Sequence, residues 1–239
     1  MTAHDEHLLR GRGESRADPT EKKMHRCNMK VALFGATGKT GKFMIDEALA
    51  RGFEATVFAR RSRSFADKRV RVVHGDLSNV DLLRDAVRGS TAVLSALGPT
   101  TLPHPKDLPI TRATQAIISA MKDEDVNRLV AISTGTAPDP GDAFDWKIDL
   151  PAMLIKYLMR STYDDIVNLA QAIRASELEW TMVRVAFLNS RAAASELNVG
   201  LYGYTRHSLT VSRKDVAAFM FDQIESRAYT RQAPGISTR

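Results

Sequence analysis

From Lys30 onward, short apolar and β-branched runs alternate with longer stretches in which apolar residues recur at helical spacing. The runs KVALFG (30–35), EATVFA (54–59), VRVVH (70–74), TAVLSAL (91–97), RLVAIS (128–133) and WTMVRV (180–185) predict six strands. The helical spacing predicts helices at about 40–51, 79–88, 109–124, 153–175 and 213–226. Strands that are apolar along nearly their whole length are covered on both faces, so the pattern predicts a doubly wound parallel α/β sheet. Ser212 stands where its hydroxyl can cap the last helix, with Asp215 at the positive end of that helix dipole. No repeat and no Pro/Gly-rich linker interrupts 30–230, which predicts a single domain over 30–239.

Residues 1–29 break this pattern: they mix charges of both signs without apolar periodicity and read as a disordered tail. The tail lacks the apolar stretch of a secretory signal, and its acids argue against a transit peptide, so a cytoplasmic location is expected. No apolar run approaches the roughly 20 residues of a membrane span, so no membrane partner is expected. With 44% hydrophobic and 26% charged residues, the 239-residue chain is an ordinary globule rather than a fibrous one. One cysteine, Cys27, forms no internal disulfide and fits a reducing compartment. The formal charge is +6, of which the tail carries +1, so the positive excess belongs to the folded part.

The strongest chemical signal is Gly35-Ala-Thr-Gly38-Lys-Thr-Gly41, directly after the first strand and opening the first helix. In that setting Gly35 permits the tight turn, Gly38 admits a pyrophosphate close to the backbone, and Gly41 lets helix and sheet approach. The helix N-terminus adds free N–H groups and positive dipole. A P-loop ending at Gly38-Lys39-Thr40 needs glycine at position 33, where Leu33 stands. The frame ending at Gly41-Lys42 needs glycine at 36 and a hydroxyl at 43, where Ala36 and Phe43 stand. Nucleoside triphosphate hydrolysis is therefore disfavoured. At the end of the second strand, where an NAD-specific protein places an acid, the chain reads Ala59-Arg60-Arg61-Ser62-Arg63-Ser64. Guanidinium groups there suit a 2′-phosphate, so NADP(H) is expected over NAD(H), with Arg60 the leading ligand and Arg61, Arg63 or Ser64 assisting. A solvated basic loop is the plainer alternative. Either way the basic balance needs no nucleic-acid partner.

The series VALFGATGKTG, TVFARRSRS, VVHGDLSN, AVLSALG, RLVAIST and LEWTMVR, in order from about 30 to 230, resembles the atypical short-chain dehydrogenase/reductase group with an NAD(P)H-binding domain. It is most similar to the flavin reductase/biliverdin reductase B type, with NmrA-like proteins as more distant relatives. The resemblance implies a Rossmann-type fold, with Thr37, Gly38, Lys39 and Thr40 cradling the pyrophosphate. It also implies Asp76 and Leu77 at the adenine end, and Leu97 and Gly98 beside the nicotinamide. For Asp76 a turn or N-cap role stands as an equal alternative.

Ordinary short-chain dehydrogenases use Tyr-x-x-x-Lys, and no tyrosine here has lysine four positions on. Nucleotide-sugar epimerases use the same pair and are disfavoured with them. The resemblance places Ser133-Thr134 at the hydroxyl pair that ends the fifth strand, and Thr134 is the candidate for bonding substrate or cofactor. Phe187 replaces the family's histidine and Gln171 a common lysine. Phe187 packs against a flat cofactor or substrate ring, or belongs to the core. The segments 134–163 and 187–207 are expected as substrate loops. Trp146, Met153, Leu154, Tyr157 and Leu158 roof a flat apolar ligand, form a subunit interface or cover the sheet, while Tyr202 and Tyr204 close the pocket from the other side. The expected activity is hydride transfer from NADP(H) to a small aromatic acceptor such as a flavin or quinone, by a monomer or small homo-oligomer. A non-catalytic NADP-binding redox sensor is the alternative. The six histidines form no metal-ligand spacing, and no nucleophile elbow occurs.

Overall fold

A computed structural model describes residues 29–60, 65 and 67–239. The chain runs β1 (Lys30–Phe34), α1 (Gly41–Ala50), β2 (Glu54–Ala59), β3 (Val70–His74), α2 (Val80–Val87), β4 (Ala92–Ser95) and α3 (Pro109–Asp123). It continues through β5 (Arg128–Thr134), α4 (Trp146–Leu158), α5 (Arg160–Arg174), β6 (Glu179–Val185), β7 (Phe187–Asn189), β8 (Leu197–Gly200), β9 (Thr210–Ser212), α6 (Arg213–Glu225) and β10 (Gly235–Thr238). Eight strands form one sheet in the order β3-β2-β1-β4-β5-β6-β10-β8, all parallel except β8, which runs against β10. This is the expected doubly wound, Rossmann-type α/β sheet in a single domain. The expected tail residues 1–28, with Cys27, lie outside the described residues.

Alternation along each strand divides the core in two. Ala32, Phe34, Leu129 and Ala131 face α2, α3 and α5, whereas Val31, Leu33, Val57 and Val130 face α1 and α6. The chain moves outward from β1 through β2 and β3, then returns to lay β4, β5 and β6 on the other side. The ends of β1 and β4 therefore part at a switch point, where open α/β sheets bind ligands. Helix α6 begins as its sequence suggests: the Ser212 hydroxyl accepts from the Asp215 N–H and donates to the Asp215 carboxylate at 2.7 Å.

Two differences bear on the site. The helix expected at 153–175 is two helices, α4 and α5, hinged at Met159, whose φ of −130° and ψ of 50° interrupt the ladder. Helix α4 starts early because the Asp145 carboxylate caps it by accepting from the Lys147 N–H. Beyond Val185 the sequence pattern shows no strand, yet β7 pairs with β9 and β10 slots between β6 and β8.

Candidate functional site

At the switch point, Gly35 turns the chain with φ +74°, and a Cβ there would lie 2.6 Å from the Ala96 carbonyl oxygen. The Gly38 N–H donates to the Gly35 carbonyl at 3.0 Å, closing the turn. At Gly41 a Cβ would stand 2.2 Å from the Ala36 backbone, so only glycine lets α1 start this close to β1. Thr40 occupies the N-cap of α1 without a side-chain hydrogen bond, and the first turn holds no acid. The N–H groups and positive dipole of that turn are thus free of a side-chain cap. In front of the turn opens a cleft of about 490 Å³, lined by Gly35, Thr37, Gly38, Arg60, Leu97 and Gly98 among others. Thr40 and Gly41 are buried in the helix start and Lys39 is exposed.

At the far end of the cleft Arg60, exposed at the tip of β2, shares the wall with Leu77 and Phe58. The Phe58 ring stacks on Phe34, with centroids 5.5 Å apart. Arg61, Arg63 and Ser64 lie outside the described residues. Asp76 does not line the cleft: its carboxylate accepts from the Ser78 hydroxyl at 2.7 Å and the Ser78 N–H at 2.9 Å. Those two bonds, helped by the charge of Arg60, hold its carboxyl below the usual range. Of its two sequence readings, the turn role is the one these contacts describe.

Beyond β5 and β6 lies a second, apolar cavity of about 150 Å³, roughly the space of one six-membered ring. Its polar lining includes Thr134, Thr136 and Lys147, and the two threonine hydroxyls are hydrogen-bonded to each other. Ser133 points elsewhere: it is buried, and its hydroxyl has no partner among the described residues. Helix α4 turns Ile148, Pro151, Ala152 and Ile155 to the cavity. The residues expected to roof a ligand sit on its other side, because they fall out of step with that inward spacing. Trp146, Met153, Leu154 and Tyr157 are all exposed, and Leu158 lines a different cleft. Of the two readings of Phe187, the core one is corrected, since the residue is 61% exposed; it edges the apolar cavity rather than the glycine-walled cleft.

A family model described as NAD(P)H-binding matches residues 35–227, which takes in both cavities. The chain belongs to the NAD(P)H-binding family. It is 24% identical over 206 residues to the uncharacterized protein YwnB of Bacillus subtilis (strain 168), covering 82% of this chain and 92% of that one. In fold it matches a short-chain dehydrogenase/reductase from Veillonella parvula DSM 2008, with TM-score 0.73, 18% identity, and 88% and 94% of the two chains covered. A second structure from that organism, in complex with NADP, matches with TM-score 0.71 and 18% identity over 87% and 94% of the chains.

No tyrosine of this NAD(P)H-binding chain is placed as a proton donor to the apolar cavity. Tyr202 is buried behind it, its hydroxyl donating to the Arg184 carbonyl at 3.4 Å, and burial pushes its ionisation well above the usual phenol range. Its ring instead carries the Arg184 guanidinium at 4.5 Å and meets His207 edge-on at 4.8 Å. Tyr204 is 70% exposed, and neither residue lines the glycine-walled cleft or the apolar cavity. Lys156 lies over the Tyr163 ring, 5.6 Å from its centroid.

One buried pair carries no local signal in the chain. Helix α3 starts after Leu108, which offers no side-chain cap. Asp165 of α5 supplies it: the carboxylate accepts from the N–H groups of Ile110 at 3.0 Å and Thr111 at 2.8 Å, and from the Thr111 hydroxyl. His104 Nε2 completes the set at 2.7 Å. Burial alone would raise this carboxyl, but the hydrogen bonds from Thr111, His104 and the helix N–H groups outweigh it and hold it low. His104 lines both the glycine-walled cleft and a larger one of about 890 Å³ between the loop after β4 and the α4–α5 hinge. Among the described residues no cluster suits a metal ion, and no helix is long and apolar enough to cross a membrane.

Proposed function

We propose that this protein is an NADP(H)-dependent reductase that delivers hydride to a flat aromatic acceptor such as a quinone or flavin. The observation that carries the reading is the cleft running from the glycine turn, past Arg60 at one end, to Leu97 and Gly98 at the other. Its residues fit a dinucleotide: the uncapped first turn of α1 suits the pyrophosphate, and Gly35 and Gly41 keep that approach free of side chains. Arg60 would hold the 2′-phosphate, a preference in keeping with the NADP bound by the Veillonella structure. The bound nicotinamide supplies the hydride. The chain orients it at Leu97 and Gly98 and offers the apolar cavity at the adjacent strand ends for the acceptor ring, with the Thr134 hydroxyl at its edge.

Stopped-flow measurement of NADPH oxidation with FMN, FAD and a series of quinones tests the reading. Turnover with at least one acceptor is expected. Tight NADPH binding with no turnover across the series would overturn it in favour of a redox sensor, which binds the same cofactor without passing on its hydride.

A further inference from the structure

We propose that His104, oriented by Asp165, donates the proton that accompanies hydride transfer at this site. The inference rests on the reductase reading. Reducing a quinone by hydride leaves an oxyanion that must be protonated, and the described tyrosines are not placed to do it. His104 is 7% exposed, its Nε2 is held 2.7 Å from a carboxylate that is itself wholly buried, and its Nδ1 is buried without a partner among the described residues. A buried ring nitrogen left unpaired is unfavourable unless a ligand completes it. The same imidazole walls the cofactor cleft and the larger cleft beside it, and that larger cleft meets the apolar cavity at Met159 and Thr162, which line both.

An imidazole with one nitrogen fixed on a carboxylate and the other free is the arrangement that orients a histidine for proton transfer, because the carboxylate stabilises the imidazolium. In the step, the C4–H bond of the dihydronicotinamide breaks and its electron pair travels with the hydride to the acceptor. The Nδ1–H bond breaks as the product O–H bond forms. The nicotinamide is oxidised, the quinone is reduced to the hydroquinone, and the neutral imidazole regains a proton from water in the larger cleft. The charged groups that share these walls are Arg60 across the cofactor cleft, and Lys106, Arg160 and Asp164 in the larger one. Arg160 is engaged by Asp164 at 2.9 Å.

The test is His104→Gln assayed with NADPH and a quinone that the wild type reduces, as a function of pH. Wild-type turnover is expected to fall with rising pH, because the step consumes a proton. The variant should bind NADPH within about twofold of wild type, lose about 100-fold in turnover and lose that pH dependence. Unchanged turnover, or a loss with the pH profile intact, would show that His104 only helps to cap α3. A readout independent of turnover is the ¹⁵N signal of His104 Nδ1 in histidine-labelled wild-type protein, which should shift on adding NADP⁺; a stationary signal overturns the proposal even if the variant misfolds. A wild type that reduces no quinone or flavin defeats the reductase reading itself and this step with it, whereas an active wild type with a silent His104 defeats this step alone.

Discussion

Arg184 and Asp142 meet as a two-pronged fork: Nη2 lies 2.6 Å from Oδ1, and Nη1 donates to Oδ2. The guanidinium is wholly buried and also donates to the Ala233 and Ala137 carbonyls, so one side chain of β6 ties the loop after β5 to the segment entering β10. Removing the carboxylate leaves a buried cation without its counter-charge. Asp142→Ala is expected to cost about 3 kcal/mol, seen as a lower urea midpoint at unchanged slope.

The same pair sets an acid limit. Burial would raise the Asp142 carboxyl, but the bonds from Arg184 outweigh it and hold the carboxyl below the usual range. A carboxyl depressed in the folded state contributes stability that is complete above its unfolded value, near 4, and disappears as pH falls through the folded one. The stability gap between wild type and Asp142→Asn should therefore be widest near neutrality and narrow below about pH 4. Urea titrations at stepped pH measure it, and a constant gap would show that the pair is not ionised as drawn.

Arg60→Ala separates the two nicotinamide cofactors. Losing one charge-assisted contact to a 2′-phosphate should weaken NADPH about 10- to 100-fold while NADH stays within about twofold. Fluorescence titration with each cofactor decides, and equal losses would move the 2′-phosphate elsewhere.

Gly41 and Gly98 should respond differently to the same methyl group. At Gly41 it collides with the Ala36 backbone, so Gly41→Ala should lower both Tm and NADPH affinity. At Gly98 a Cβ meets nothing within 4 Å, and the backbone is one that alanine adopts. Gly98→Ala should keep Tm or raise it slightly while weakening NADPH, because the methyl projects where the cofactor passes. Calorimetry with and without NADPH checks both.

Ala152→Phe fills the apolar cavity from α4. NADPH binding should be unchanged and turnover with a quinone should drop about tenfold or more, since the ring space is gone. Equal turnover would place the acceptor in the larger cleft.

What could be read from the chain was what local pattern encodes. The six apolar strands, the glycine turn after β1 and the Ser212 cap follow from residues within a few positions of each other. What escaped depends on partners far along the chain. Strands of three or four residues such as β7 and β9 carry too little periodicity to stand out, and they exist because they pair with each other. Asp165 looks like an ordinary helix-surface acid until α5 packs against the start of α3, which joins positions 55 apart to cap Ile110. His104 sits among prolines in a stretch that reads as loop, and only the fold brings it to that carboxylate 61 positions away. The core reading of Phe187 fails because an aromatic after an apolar strand resembles core, while β7 opens with that residue exposed.

The strand order also has a consequence for synthesis. Strands β1 to β4, which flank the glycine turn, are all encoded before Ala96 and pair with one another, β4 alone taking a later neighbour, β5. On the opposite side β6 ends at Val185, but its outer partner β10 begins only at Gly235. As the chain emerges from the ribosome, the nucleotide half can assemble while β6 still presents an unpaired parallel edge, and that edge stays open to wrong partners for about 50 residues of translation, a few seconds at ordinary rates.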